Sequence, residues 1–100
     1  MLFTSRINEA EFRIGPEMSS DRRRELERVE RILAGIVILE FTADAARRFA
    51  VLKAAAYKRG RPVSDCDALI ASVALAYGQL LVTRNARHFE HIAGLIVQSY

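Results

Sequence analysis

Apolar positions along this chain follow two periods, one of strands and one of helices. "LFTS" at the start is a short apolar stretch, and "IVILEF" at residues 36–41 is continuously apolar and β-branched. The second pattern is that of a strand covered on both faces. Between them, "RINEAEFRIG" repeats Ile7, Ala10 and Ile14 at helical spacing, with Asn8 able to cap and Gly15-Pro16 expected to stop the turn. "SSDRRRELERVERILAG" opens on serine caps, places Leu26, Val29, Ile32 and Leu33 on one face, and should end at Gly35. Thr42 is expected to cap "ADAARRFAVLKAAAYKRG", where Ala45, Phe49, Leu52 and Ala56 form a stripe ending near Gly60. Ser64 should cap the next helix and Gly78 close it before the strand "QLLVT". A short helical turn in "NARHFEHIAG" and a last strand in "LIVQSY" complete the pattern.

Strands alternate with helices and carry apolar runs rather than strict alternation, which predicts an α/β fold with a parallel sheet and helices on both faces. No repeat, low-complexity tract or linker interrupts residues 1–100, so a single domain is expected. In such sheets functional groups gather beyond the carboxyl ends of the strands. Three segments qualify: the one after "LFTS", the helix start Ser64–Asp67, and the "TRN" that follows "LLV".

Composition narrows the class. Of 100 residues, 51% are hydrophobic and 27% charged, which fits a globular domain and excludes a disordered tail. No apolar run approaches the roughly 18 residues of a membrane span, and the start lacks the layout of a secretory signal. The single cysteine, Cys66, excludes an internal disulfide framework and suits a reducing cytoplasm. It has no evident base nearby and reads as a small buried residue. Fifteen Lys and Arg against twelve acids give a formal charge of +3, which permits an acidic partner such as nucleic acid without requiring one.

The acids hold the candidate chemistry. Ser64-x-x-Asp67 has the spacing of a capping box, and a carboxylate there also suits the positive end of the helix dipole. That explains Asp67 completely, yet a second acid, Asp65, sits beside it. Glu11 lies mid-helix near the exit of the "LFTS" strand, flanked by Glu9 and Glu17; each reads most simply as solvated. Asn85 stands where the chain leaves "LLV". Taken together, Glu11, Asp67 and Asn85 occupy strand-exit or helix-start positions, and hard oxygen ligands of that kind suit Mg2+ or Mn2+. Motifs for phosphate loops, dinucleotide sites, zinc proteases and nucleophile elbows are absent. His88 and His91 form an H-x-x-H without zinc-like companions and read as surface residues. Arg22-Arg23-Arg24 reads as a solvated helix face, whereas Lys58-Arg59 with Arg61 is the stronger candidate for phosphate contact.

"INEAEFRIG", "FTADAARRFAVLKAAAYKRGRPVSDCDALIASVALAYG" and "LLVTRNARHFEHIAGLIV", in that order, resemble the PIN-domain toxins of bacterial toxin–antitoxin pairs, most of all their VapC and FitB groups. The resemblance implies a three-layer α/β fold and an endoribonuclease dependent on Mg2+ or Mn2+. It further implies a cytoplasmic homodimer, with no membrane partner, silenced by a cognate antitoxin. Glu11 matches the acid of the family's A-E-L-x-G helix, and Asp67, rather than Asp65, matches its D-x-x-I-A helix start. Glu11 and Asp67 are thereby implied as metal ligands with Asn85 assisting, while Thr83, Arg84 and Arg61 are candidates for RNA phosphate contact. Where many members carry a further acid, this chain has Asn85 and His88. The family also begins with a strand ending in Asp-x-Asn and a helix, and no such motif precedes Glu11 here. A late start codon, a shortened chain and a gene remnant each account for that departure. The resemblance therefore implies weak or absent cleavage by the 100-residue form, and poor stability as a monomer unless an exposed edge pairs with another copy. The alternative reading is a non-catalytic remnant that binds antitoxin or dimerises.

Overall fold

A computed structural model describes residues 2–83 and 85–99. Candidate phosphate contact Arg84 therefore lies outside the described residues. Two compact units appear, residues 1–40 and residues 41–100.

In the first unit, β1 (Leu2–Ser5) runs parallel to β2 (Ile36–Leu39), pairing Leu2 with Ile36 and Ser5 with Leu39. Three helices lie between them: α1 (Arg6–Phe12), α2 (Ile14–Met18) and α3 (Arg22–Leu33). The entry to α1 is a reciprocal box centred on Ser5. Its hydroxyl accepts from the Asn8 N–H at 3.0 Å, and the Asn8 side chain reaches back to the Ser5 backbone. Asn8 is thus the third helical residue and not the cap, because Ser5 already ends the strand in an extended conformation. Gly15-Pro16 does not end the helical segment either. Pro16 is the third residue of α2, where a helix has no acceptor for a backbone N–H, so its missing donor costs nothing. Asp21, not a serine, caps α3, accepting from the Arg24 N–H at 3.2 Å. Val29 is the buried centre of that helix, while Ile32 is exposed.

The second unit is built on α4 (Ala43–Lys58) and α5 (Asp65–Tyr77), which pack against each other through small residues. Ala45 and Ala56 on α4 and Ala68, Ala71, Ser72 and Ala74 on α5 are buried, so the two backbones approach closely. Thr42 and Ser64 cap these helices as expected, each accepting at 3.2 Å from an N–H three residues on. After α5 come β3 (Leu81–Thr83), a 3₁₀ turn (Ala86–His88) and β4 (Val97–Ser99), with β3 and β4 parallel. Phe89 and Ile92 plug the unit's core beside Leu52, Ala68 and Ala71.

The α/β character and parallel pairing expected from the sequence are present, but as one two-stranded pair in each unit. Nor are the apolar strands covered on both faces: Phe3, Val37 and Val82 are exposed. Cys66 is half-buried. Among the described residues no helix is long and apolar enough to cross a membrane.

Gly78 ends α5 in a left-handed conformation, φ 63°, and the N–H of Gln79 closes back onto Ala74 O at 2.9 Å. A side chain at that φ is strained even though a Cβ would meet no atom within 4 Å. Gly78→Ala is expected to cost about 1–2 kcal/mol, read as a fall in the urea midpoint without a change in slope.

Candidate metal centre

In the second unit the helix start of α5 sorts the two neighbouring acids. The Ser64 hydroxyl accepts from the Asp67 backbone N–H, so the serine half of the expected capping box is present. The Asp67 carboxylate is turned instead to the 3₁₀ turn, with Oδ2 3.1 Å from Nδ1 of His88. Asp65 goes elsewhere: Lys53 of α4 reaches its Oδ1 at 2.8 Å and also donates to the Val63 carbonyl at 2.7 Å. Asp65 thereby raises the Lys53 pKa. One acid of the pair is held by a lysine, while the other faces an imidazole and stays partly open at 26% exposure.

The exit from β3 is fixed locally. Thr83 Oγ1 accepts from the Asn85 N–H at 3.0 Å, a side-chain turn that sets where Asn85 leaves the strand. Asn85 itself is exposed, as is Arg61, which lies just beyond the left-handed Gly60 that terminates α4. Thr83, Asn85, His88 and Asp67 belong to neighbouring segments of one unit. His88 is exposed, as the sequence reading expected; what that reading did not show is its contact with Asp67, which joins residues 21 apart that no local period links.

In the first unit Glu11 lies exposed on α1. Its neighbours are engaged. Glu9 is bridged by Arg6 and by Arg13, the latter at 2.8 Å; Arg13 also reaches Glu30 at 2.7 Å, and Arg6 also pairs with Glu40. Glu17, Glu25 and Glu27 each have an arginine partner. Among the described residues, Glu11 is the one glutamate of this unit without such a partner. Glu9, expected to be solvated, has a side chain only 11% exposed. Its two arginines satisfy it, as burial of a carboxylate requires.

That network has a pH signature. Arg13 first, then Arg6, hold the Glu9 carboxyl below its ordinary value of 4.5, and Arg22 and Arg6 do the same for Glu17 and Glu40. A depressed folded pKa means the unfolded chain binds protons first as pH falls. The contribution is therefore complete above the ordinary glutamate range and is lost as pH drops through the lower folded value. Glu9→Gln is expected to flatten the acid limb of stability against pH, measured by urea titration on both sides of about pH 4.5. An unchanged acid limb would show that the Glu9 bridge adds nothing.

Carboxylate and amide oxygens are the donors that hard divalent cations take, with water filling the remaining positions. Glu11, Asp67 and Asn85 are therefore of the right chemistry for Mg2+ or Mn2+. Among the described residues, neither unit by itself gathers three or more His, Cys, Asp or Glu side chains able to hold a metal ion.

Comparison with known proteins gives these residues their context. A "tRNA(fMet)-specific endonuclease VapC" of Shigella flexneri is 34% identical over 86 residues, covering 86% of this chain and 65% of that protein. A "Ribonuclease VapC" of Haemophilus influenzae is 31% identical over 96 residues, 96% of this chain and 73% of the relative. The chain thus spans about two thirds of the length of these relatives. Among solved structures, DNA-bound VapBC from Salmonella typhimurium aligns with a TM-score of 0.91 at 31% identity, over 97% of this chain and 74% of the other. FitAB bound to a DNA fragment aligns at 0.81 and 26% identity, over 95% and 70%. The family model for the PIN domain matches residues 1–95, and the chain accordingly belongs to the PIN-domain family, with relatives in its VapC and FitB groups.

Proposed function

We propose that this chain acts as a metal-dependent endoribonuclease, the toxin half of a cytoplasmic toxin–antitoxin pair, with residues 1–100 forming one PIN-like domain. Its Shigella relative carries the name of a tRNA-specific endonuclease, which makes tRNA the first substrate to try, and the VapBC proteins among its structural neighbours are described as a family of toxin–antitoxin systems. In this reading Glu11 and Asp67 hold Mg2+ or Mn2+, and Asn85 assists. Such a cation, when bound, supplies Lewis-acid charge for the attack of water on a phosphodiester.

The chain's own residues do the rest. Asp67 stands in the first turn of the 13-residue helix α5, with its backbone N–H taken by Ser64 and its carboxylate left for other partners. Thr83 fixes the turn from which Asn85 offers an amide oxygen and two donors. Arg61, with Thr83 and Arg84, would meet the RNA backbone, adding charge that salt weakens. Exposed Phe3, Val37 and Val82 supply apolar surface for a second protomer or an antitoxin segment.

One observation carries the reading: Asp67 is spared both the capping role and a lysine, while Asp65 takes the lysine. The test incubates excess protein with end-labelled tRNA in Mg2+, Mn2+ or chelator. Discrete fragments that depend on metal and vanish with chelator support it, even if cleavage is slow. Chelator-resistant cleavage contradicts it. Antitoxin binding without any cleavage would favour the non-catalytic module.

A further inference from the structure

We propose that His88 is a metal ligand beside Asp67, and that it turns the site's preference from Mg2+ toward Mn2+ and other borderline cations such as Co2+. The proposal rests on the reading that Asp67 holds a metal.

The geometry suits it. His88 Nδ1 and Asp67 Oδ2 are 3.1 Å apart. Two neighbouring ligands of an octahedral ion, each about 2.1 Å from the metal, are separated by roughly 3 Å. The same two atoms can therefore share a cation with little movement of either residue. A bare hydrogen bond has that length as well, so the surroundings matter.

Both donors are anchored from behind. Asp67 sits in the first turn of α5, its backbone N–H taken by Ser64. His88 ends the 3₁₀ turn, its N–H bonded to Asn85 O at 2.9 Å, and the next residue, Phe89, is buried in the core at 3% exposure. The imidazole is held at its root yet 57% exposed at its side chain, which leaves room for water to fill the remaining coordination positions. His91, the other member of the H-x-x-H, instead lines a cleft with Arg47, Arg48 and Arg59. The two histidines are thereby separated in role, and His91 serves as an internal control.

The chemistry follows from the donor. Mg2+ prefers oxygen and gives up its waters reluctantly, whereas imidazole nitrogen suits first-row transition ions, with affinity rising from Mn2+ to Co2+ and beyond. An all-oxygen site would discriminate far less between Mg2+ and Mn2+. One nitrogen in the set is enough to tilt the choice.

The test titrates Mn2+ and, separately, Mg2+ into the purified 100-residue chain at about pH 8, where free imidazole is neutral, by isothermal calorimetry. Parent, His88→Ala, His88→Glu and Asp67→Asn are compared, with far-UV circular dichroism to confirm that each is folded. His88→Ala is expected to lower Mn2+ affinity by at least about tenfold with little change for Mg2+, and His88→Glu to restore Mg2+ over Mn2+. In parallel, Co2+ should give the ring resonances of His88 the large contact shifts of a directly coordinated imidazole, and those of His91 only the smaller through-space shifts of a bystander. If His88→Ala leaves the Mn2+ to Mg2+ ratio intact while Asp67→Asn abolishes binding, the ligand role of His88 is overturned and the nuclease reading survives. If Asp67→Asn changes nothing, or the parent binds neither ion, both fall together.

Discussion

Asp67→Asn is expected to lower metal-dependent RNA cleavage by roughly 100- to 1000-fold, the usual effect of removing one well-placed electrostatic group, with the fold intact. The substitution keeps the side chain's size and leaves the helix cap untouched, because Ser64 accepts from the backbone N–H of residue 67 and not from its side chain. What is lost is the negative charge that the proposed cation would use. Asp65→Asn is the matched control. It removes an acid two residues away that is 81% exposed and paired with Lys53, and an exposed pair of that kind contributes no more than about 1 kcal/mol to stability. Cleavage by Asp65→Asn should stay within about twofold of the parent. Rates on labelled tRNA, with thermal melts of each variant, decide the matter. Equal losses from both substitutions would mean that the helix start matters through its net charge, and that the distinction between the two acids is wrong.

Phe89→Ala is expected to cost about 3–5 kcal/mol, against a total stability of about 5–15 kcal/mol for a domain of ordinary size. Phe89 meets Leu52 of α4, Ala68 and Ala71 of α5, and Ile92 in the core of the second unit. The small residues opposite cannot grow to fill the space, so a cavity remains. The loss should also reach the candidate centre, because Phe89 anchors the turn that carries His88. A urea midpoint close to that of the parent would contradict this packing account. A lowered midpoint with the Asp67–His88 contact kept, seen in the ring resonances of His88, would show that the turn holds without its anchor.

The elements governed by local rules were legible. Thr42 and Ser64 cap the helices they precede, and Gly60 and Gly78 adopt the left-handed conformation that ends α4 and α5. Each of these depends on residues three or four apart, which a linear pattern displays. Pro16 misled because a proline is read as a stop, although the first turn of a helix has no use for its N–H. Glu9 misled because burial of a charge depends on distant partners, and links of its network join residues as far apart as Arg6 and Glu40. The same limit applies to the Asp67–His88 contact, which pairs a helix start with a turn 21 residues on. Resemblance singled out Glu11 and Asp67 as candidates by motif; in the structure every other glutamate of the first unit is paired among the described residues, and Asp65 rather than Asp67 takes the lysine.

The most direct examination is a crystal of this protein grown with Mn2+, with data collected at a wavelength where manganese scatters anomalously. A single strong peak about 2.1 Å from carboxylate oxygens of both Glu11 and Asp67 is the result this account predicts. Occupied manganese sites that touch neither side chain, or these two carboxylates found on opposite sides of the molecule, would contradict it.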